Sequence, residues 1–134
     1  MTVGDVMHTD VITVTKKDSL RHAMNLIRQQ GIRHLPVVEG KRLIGIVTDR
    51  DIRQASPSAA TSLEIHELHY LLEKVSVGDV MTRKVVTVTP STEIRDAAKL
   101  LIKHKIGGLP VVRGESLAGI ITETDILRAF IEQK

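Results

Sequence analysis

The sequence predicts a mixed fold of the α/β class, α+β in type, made of two β-α-β-β-α units packed about a pseudo-two-fold axis. Three observations carry this expectation. Residues 3–55 repeat as residues 77–129 without a gap, and 25 of the 53 aligned positions are identical, so the chain is two copies of one structural unit. Within each copy, short β-branched runs alternate with stretches whose apolar residues recur every three or four positions. Finally, a unit of 53 residues buries too little surface to be stable alone, so two units with apolar faces should cover each other.

Each element follows from local chemistry. "VITVT" (Val11–Thr15) is β-branched throughout and reads as a short strand. Asp18 and Ser19 offer caps for a helix that places Leu20, Ala23, Met24 and Ile27 on one face, and Gly31 can close it. "LPVV" follows, with Pro36 near a strand start, where a missing N–H costs little. A turn at Glu39–Gly40 leads into "LIGIV" (Leu43–Val47), and a last helix opens near Thr48. The second copy repeats the plan, with Ile94, Ala97, Ala98 and Leu101 on its helix face and Gly114 in its turn.

Between the copies runs "SPSAATSLEIHELHYLLEKVS" (Ser56–Ser76), a Ser/Pro/Ala stretch followed by an amphipathic helix. Ser62 can cap that helix, and Ile65, Leu68, Leu72 and Val75 share one face at spacings of three and four. The face can cover the pair of units or meet a second chain. The expected organisation is therefore a first domain at residues 3–55, a helical linker at 56–76 and a second domain at 77–130.

Composition narrows the function. With one Tyr, one Phe and no Cys, the core must be aliphatic, and disulfides and thiolate metal sites are excluded. No run approaches the ~18 apolar residues of a membrane span, and "MTVGDVMHTD" lacks the apolar block of a secretory signal. A cytoplasmic protein is expected. The net charge is +3 with both signs interspersed, and stacking aromatics are nearly absent, which argues against nucleic acid as partner.

The repeated phrase "LIGIVTDRDI" and "LAGIITETDI" holds the chemistry. In each, a strand ends at a threonine, Thr48 or Thr122, and an aspartate follows three positions later, Asp51 or Asp125. Taken alone, this is the capping box common at helix starts. Three features point further. Gly45 and Gly119 weaken the strand three residues earlier unless something approaches the backbone closely. A helix N-terminus also suits phosphate, and a carboxylate there accepts well from the two hydroxyls of a ribose. One threonine hydroxyl can cap and bind at once.

Gly45-x-x-Thr48-x-x-Asp51 and Gly119-x-x-Thr122-x-x-Asp125, each downstream of a "GDVM…TV" opening and an "LPVV" strand, resemble the paired cystathionine-β-synthase (CBS) domains of a Bateman module. The resemblance runs from Val3 to Phe130, and the helix "LEIHELHYLLEKV" is similar to bacterial proteins of the acetoin-utilisation type. It implies two units packed through their sheets, with adenosine nucleotides or other adenosyl ligands (AMP, ADP, ATP, S-adenosylmethionine) in a central cleft. It also implies a homodimer, a regulated partner protein and no required cofactor. Carried over by position, Asp51 and Asp125 hold ribose hydroxyls, and Thr48 and Thr122 meet ribose or phosphate. Val11 and Ile12, with Val85 and Val86, line the adenine, and Ile32, Ile46, Ile106 and Ile120 sandwich it. Arg33 and His34 occupy a position that reaches phosphates. The second copy has Gly107 and Gly108 there, so the two sites should differ in their grip on phosphate.

Other residues are read mainly as structural. "HELH" (His66–His69) is one residue short of the zincin spacing; with Glu73 a turn beyond it could share a metal, but an exposed helix face is the simpler reading. Arg50 is a candidate for ligand contact, while Arg53, Arg128, His22 and His104 fit a solvated surface. The resemblance places His8 and Met7 near the ligand, although Met7 fits a core equally well. No Cys nucleophile, Gly-x-Ser-x-Gly elbow or phosphate loop is present. A regulatory nucleotide sensor is thus expected, with a structural module whose cleft stays empty as the alternative, and a metal-binding or enzymatic protein behind both.

Overall fold

The computed structural model describes residues 1–56 and 65–133, with the side chains of residues 65 and 66 left aside. Along the chain run α1 (Val3–Val6), α2 (Leu20–Gln30), β1 (His34–Glu39), β2 (Arg42–Thr48), α3 (Asp49–Ala55) and α4 (Ile65–Lys74). Then come α5 (Val77–Val80), α6 (Ile94–His104), β3 (Gly108–Arg113), β4 (Ser116–Thr122) and α7 (Glu123–Glu132). Helices thus combine with antiparallel strands, as the α+β expectation requires. The expected cap at Ser62 lies outside the described residues.

The compact units do not coincide with the repeats. One contains Ile12–Gly40 and Ile44–Lys84; the other contains Met1–Val11, Lys41–Leu43 and Val85–Lys134. Each copy's "VGDVM" opening therefore belongs to the unit built mostly by the other copy. In the first-copy unit, Val77 N–H donates to Asp18 C=O at 2.8 Å and Gly78 N–H to Lys16 C=O at 2.9 Å. In the second-copy unit, Val3 N–H donates to Thr92 C=O at 2.8 Å and Gly4 N–H to Pro90 C=O at 2.9 Å. These bonds satisfy the leading donors of α5 and α1, helices too short to persist alone. Val77 and Val3 are fully buried in the two cores.

The first-copy core gathers Val14, Leu20, Ala23, Leu35, Val37, Val47, Ile52, Leu72, Val77 and Met81. Leu72 comes from α4, and Leu68 and Val75 pack beside it, so the helix between the copies covers this unit. Arg21 on α2 meets Glu73 on α4 at 3.5 Å. The second-copy core is smaller: Val3, Val88, Ala97, Leu101, Leu109, Val111 and Ile121. Its strands β3 and β4 pair antiparallel from Gly108↔Thr122 to Arg113↔Ser116, and Arg42 of β2 pairs with Ser116.

Local signals explain the helix ends. Ser19 caps α2, its hydroxyl accepting from His22 N–H at 3.0 Å, and Gly31 closes it in the left-handed region at φ 63°. The equivalent position in the second copy is Lys105, held at φ 56°, where a Cβ makes the same turn costlier. Asp18, expected as an alternative cap, instead accepts from Thr15 N–H at 2.8 Å.

That last bond also corrects the first expected strand. "VITVT" forms only a parallel bridge, Val14↔Val37, as Val88↔Val111 does in the other copy. Val14 N–H donates to Pro36 C=O at 3.1 Å and Val38 N–H to Val14 C=O at 2.9 Å. One residue on, Thr15 N–H is diverted to the Asp18 carboxylate and the chain turns. β-branched composition expresses a preference for extended backbone, but a strand also needs successive partners.

Candidate functional site

Both repeated phrases fold identically at their local level. β2 runs into α3 through Thr48, at φ −118°, ψ 164°; β4 runs into α7 through Thr122, at φ −117°, ψ 166°. In the first copy, Asp51 N–H donates to Thr48 Oγ1 at 3.1 Å and Thr48 N–H to Asp51 Oδ2 at 2.9 Å. In the second, Thr122 N–H and Oγ1–H donate to Asp125 Oδ2 at 2.8 and 3.0 Å, and Asp125 N–H meets Thr122 Oγ1 at 3.4 Å. The capping box is present twice, and it consumes only Oδ2 of each carboxylate.

The remaining oxygens differ. Among the described residues Asp51 Oδ1 has no partner, and Asp51 is half-buried. Asp125 is 6% exposed, and its Oδ1 is hydrogen-bonded to His8 Nε2 at 2.7 Å. Position 8 corresponds to Thr82 in the first-copy unit. The two backbones are held alike: His8 exchanges both hydrogen bonds with Ile120 at 2.9 Å, and Thr82 exchanges both with Ile46 at 2.9 and 3.0 Å. Only the side chain changes, from an imidazole that reaches the carboxylate to an exposed threonine.

The two glycines have an internal explanation. A Cβ on Gly45 would stand 2.6 Å from Met81 Sδ and 3.0 Å from Thr82 O; one on Gly119 would stand 2.6 Å from His8 O and 3.0 Å from Met7 Sδ. The close approach inferred from these glycines is therefore made by the chain's own opening segments.

Most of the donors at each helix N-terminus are engaged within the chain. Of the four leading N–H groups at α3, Thr48 donates to Asp51, Asp49 to Arg33 C=O at 3.0 Å, and Asp51 to Thr48. The N–H of Arg50 is left. At α7 the same bonds recur, with Glu123 donating to Gly107 C=O at 2.9 Å, and Thr124 is left. A helix whose first turn is already satisfied has little to offer an anion.

The other expected residues fall as follows. In the first-copy unit Ile12 and Ile32 pack beside the core, Ile46 is buried, His34 is half-buried, and Arg33 and Arg50 are exposed. Arg53 is tied to Asp49 at 3.5 Å. In the second-copy unit Val86 packs beside the core, Val11, Val85, Gly107 and Ile120 are half-buried, Gly108 is buried, and Ile106 and Arg128 are exposed. The His8–Asp125 pair, separated by 117 residues, escaped the sequence reading. Its trace is there: His8 is the residue at which the duplicated "VGDVM" opening first departs from its copy. Among the described residues no group of three His, Asp or Glu could hold a metal, and no helix is long and apolar enough to cross a membrane.

Fold and site define a class: a tandem-repeat α+β module that presents the same capped carboxylate twice. The chain belongs to the CBS-domain family, whose model matches residues 3–58 and 77–132. It is similar to a protein described as an acetoin utilization protein of Vibrio cholerae, at 33% identity and a TM-score of 0.80, covering 98% of this chain and 90% of that one. The protein CBSX2, solved in complex with AMP, is 34% identical with a TM-score of 0.80, covering 98% and 96%. The CBS pair of protein MJ0100, solved with 5′-methylthioadenosine and S-adenosyl-L-methionine, is 29% identical with a TM-score of 0.82, covering 100% and 98%. Among longer relatives, inosine-5′-monophosphate dehydrogenase of Korarchaeum cryptofilum is 38% identical over 120 residues, which span 87% of this chain and 22% of that protein.

Proposed function

We propose that the chain is a regulatory module that binds adenosine nucleotides, with Asp51 and Asp125 receiving the ribose hydroxyls, and that it is not itself an enzyme. The observation that carries this reading is the half-used carboxylate. Asp51 spends Oδ2 on its cap and keeps Oδ1 without a partner among the described residues, and relatives of similar fold were solved in complex with AMP or with 5′-methylthioadenosine and S-adenosyl-L-methionine. A carboxylate oxygen accepting from a hydroxyl makes a charge-assisted bond. In the first-copy unit Thr48 adjoins the ribose and Ile12, Ile32 and Ile46 supply apolar walls for the base; in the second-copy unit Thr122 does so with Val11, Val85, Val86, Ile106 and Ile120.

Phosphate falls to side chains, since the helix starts are satisfied. Arg33 is exposed, and among the described residues its guanidinium makes no hydrogen bond or ion pair; a guanidinium forks onto phosphate oxygens. His34 follows it in sequence, and Arg50 follows Asp49, whose N–H donates to the Arg33 carbonyl, whereas Gly107 and Gly108 offer the second site only backbone. Occupancy then changes the surface shown to a partner by favouring one conformation over another. The module acts as a homodimer: Ile102, Leu127, Phe130 and Ile131 are all exposed on the second-copy unit, large apolar side chains that a second copy of the chain would cover.

Calorimetric titration with AMP, ADP, ATP and S-adenosylmethionine tests the reading. Saturable heat with at least one of them supports it. No heat with any adenosyl compound leaves Thr48–Asp51 and Thr122–Asp125 as helix caps in a structural interaction module.

A further inference from the structure

We propose that His8 is a specificity-determining residue that guards the Asp125 carboxylate, so that a ribose must displace it there and the two sites discriminate differently between ribose and deoxyribose. This rests on the nucleotide-binding reading and goes beyond it. A carboxylate has about four lone-pair positions for hydrogen bonds. Asp125 has filled three: Thr122 N–H and Thr122 Oγ1–H on Oδ2, and His8 on Oδ1. Among the described residues Asp51 has filled one, with Thr48 N–H on Oδ2. A ribose diol brings two donors. Asp51 can take both, whereas Asp125 can take both only after His8 leaves.

The geometry makes His8 a movable guard. The Asp125 side chain is 5% exposed and the His8 side chain 58% exposed, so the imidazole stands at the solvent side of a carboxylate that is otherwise enclosed. Its backbone is pinned to Ile120 on both N–H and C=O. Opening therefore needs only a side-chain rotation, with no change in the strand. Breaking a hydrogen bond to a charged acceptor opposes that rotation, and the diol must overcome it. The first-copy unit has no such barrier, because its equivalent residue is Thr82, and no bond joins Thr82 to Asp51 among the described residues.

The test is calorimetry of the full chain with AMP and 2′-deoxy-AMP in an Asp51→Ala background, which isolates the second site. His8→Thr, which copies the first unit, should tighten AMP binding about tenfold and leave 2′-deoxy-AMP less affected, because the deoxy sugar brings one donor fewer. His8→Gln keeps a donor and should stay near the parent. His8→Thr with AMP affinity unchanged or weakened overturns the guard while leaving the nucleotide reading intact. Wild-type protein that binds no AMP at either site overturns both. The substitutions fall on an exposed ring, and unchanged thermal unfolding confirms that each variant is folded.

Discussion

Thr48–Asp51 and Thr122–Asp125 are the same sentence in two settings. Their backbone angles agree within 2°, and each aspartate spends Oδ2 on the preceding threonine. Yet Asp51 is half-buried with an oxygen that has no partner among the described residues, and Asp125 is buried with both oxygens engaged. The residue responsible lies 117 positions from Asp125 in the chain. Local sequence writes the cap, and a remote segment decides what the rest of the carboxylate can do.

The largest expected effect comes from the glycines behind these caps. Gly119→Ala drives a Cβ to 2.6 Å from the His8 carbonyl, a backbone atom pinned on both sides; Gly45→Ala drives one to 2.6 Å from Met81 Sδ, the mobile part of a flexible side chain. Gly119→Ala should cost about 3 kcal/mol of stability, at the upper end for overpacking, and Gly45→Ala clearly less. Denaturant unfolding of both variants compares them. Equal losses would show that the two openings are seated equally rigidly.

Asp51→Ala should weaken AMP at the first site by about ten- to a hundredfold, the loss of charge-assisted hydrogen bonds of about 1.5–3 kcal/mol. Asp125→Ala should change AMP affinity less but stability more, since it removes a buried carboxylate with three donors and leaves them unpaired. Calorimetry and thermal unfolding of the same two variants separate the roles. The reverse ranking would break the contrast between an open and an occupied carboxylate.

The helix ends give a smaller contrast. Gly31 and Lys105 occupy equivalent left-handed turns, at φ 63° and 56°. Gly31→Lys should destabilise by about 1 kcal/mol, and Lys105→Gly should gain somewhat less, because glycine also frees the unfolded chain. Thermal unfolding reads both signs, and a loss on Lys105→Gly would show that the lysine side chain is stabilising in its own right.

The smallest effect concerns the two "VGDVM" openings. Thr2 N–H donates to the Asp5 carboxylate at 2.8 Å, while Ser76 N–H reaches Asp79 at 3.4 Å. The Thr2 N–H, then the Thr2 side chain, holds the Asp5 carboxyl below its ordinary value. A depressed carboxyl pKa contributes stability above the unfolded value and loses it as pH falls through the folded one. Asp5→Asn should therefore lower the unfolding temperature slightly at neutral pH and have no effect once both states are protonated. A deficit that persists in strong acid would assign the effect to packing.

Much of the fold was legible because it is local. The ungapped repeat, the apolar faces of α2 and α6, the Ser19 cap, the Gly31, Gly40 and Gly114 turns and the Thr-x-x-Asp boxes each depend on residues a few positions apart, where side-chain type and spacing settle the geometry. What failed depended on distance in the chain. "VITVT" carried strand composition but found a partner for one residue only. Gly45 and Gly119 signalled a close approach without revealing what approached. The carbonyls of Arg33 and Gly107 that engage the Asp49 and Glu123 N–H groups at the helix starts are likewise announced by no local pattern.

By itself, then, the sequence determined the two copies, their helices and strands, and the paired caps, since hydrogen bonds within a turn and apolar periodicity are short-range. Tertiary structure alone decided that each opening belongs to the other copy's unit, and that His8 meets Asp125 while Thr82 leaves Asp51 open. A duplicated sequence specifies two equal sites; burial and partner choice, set by whichever segment packs against each, make them different.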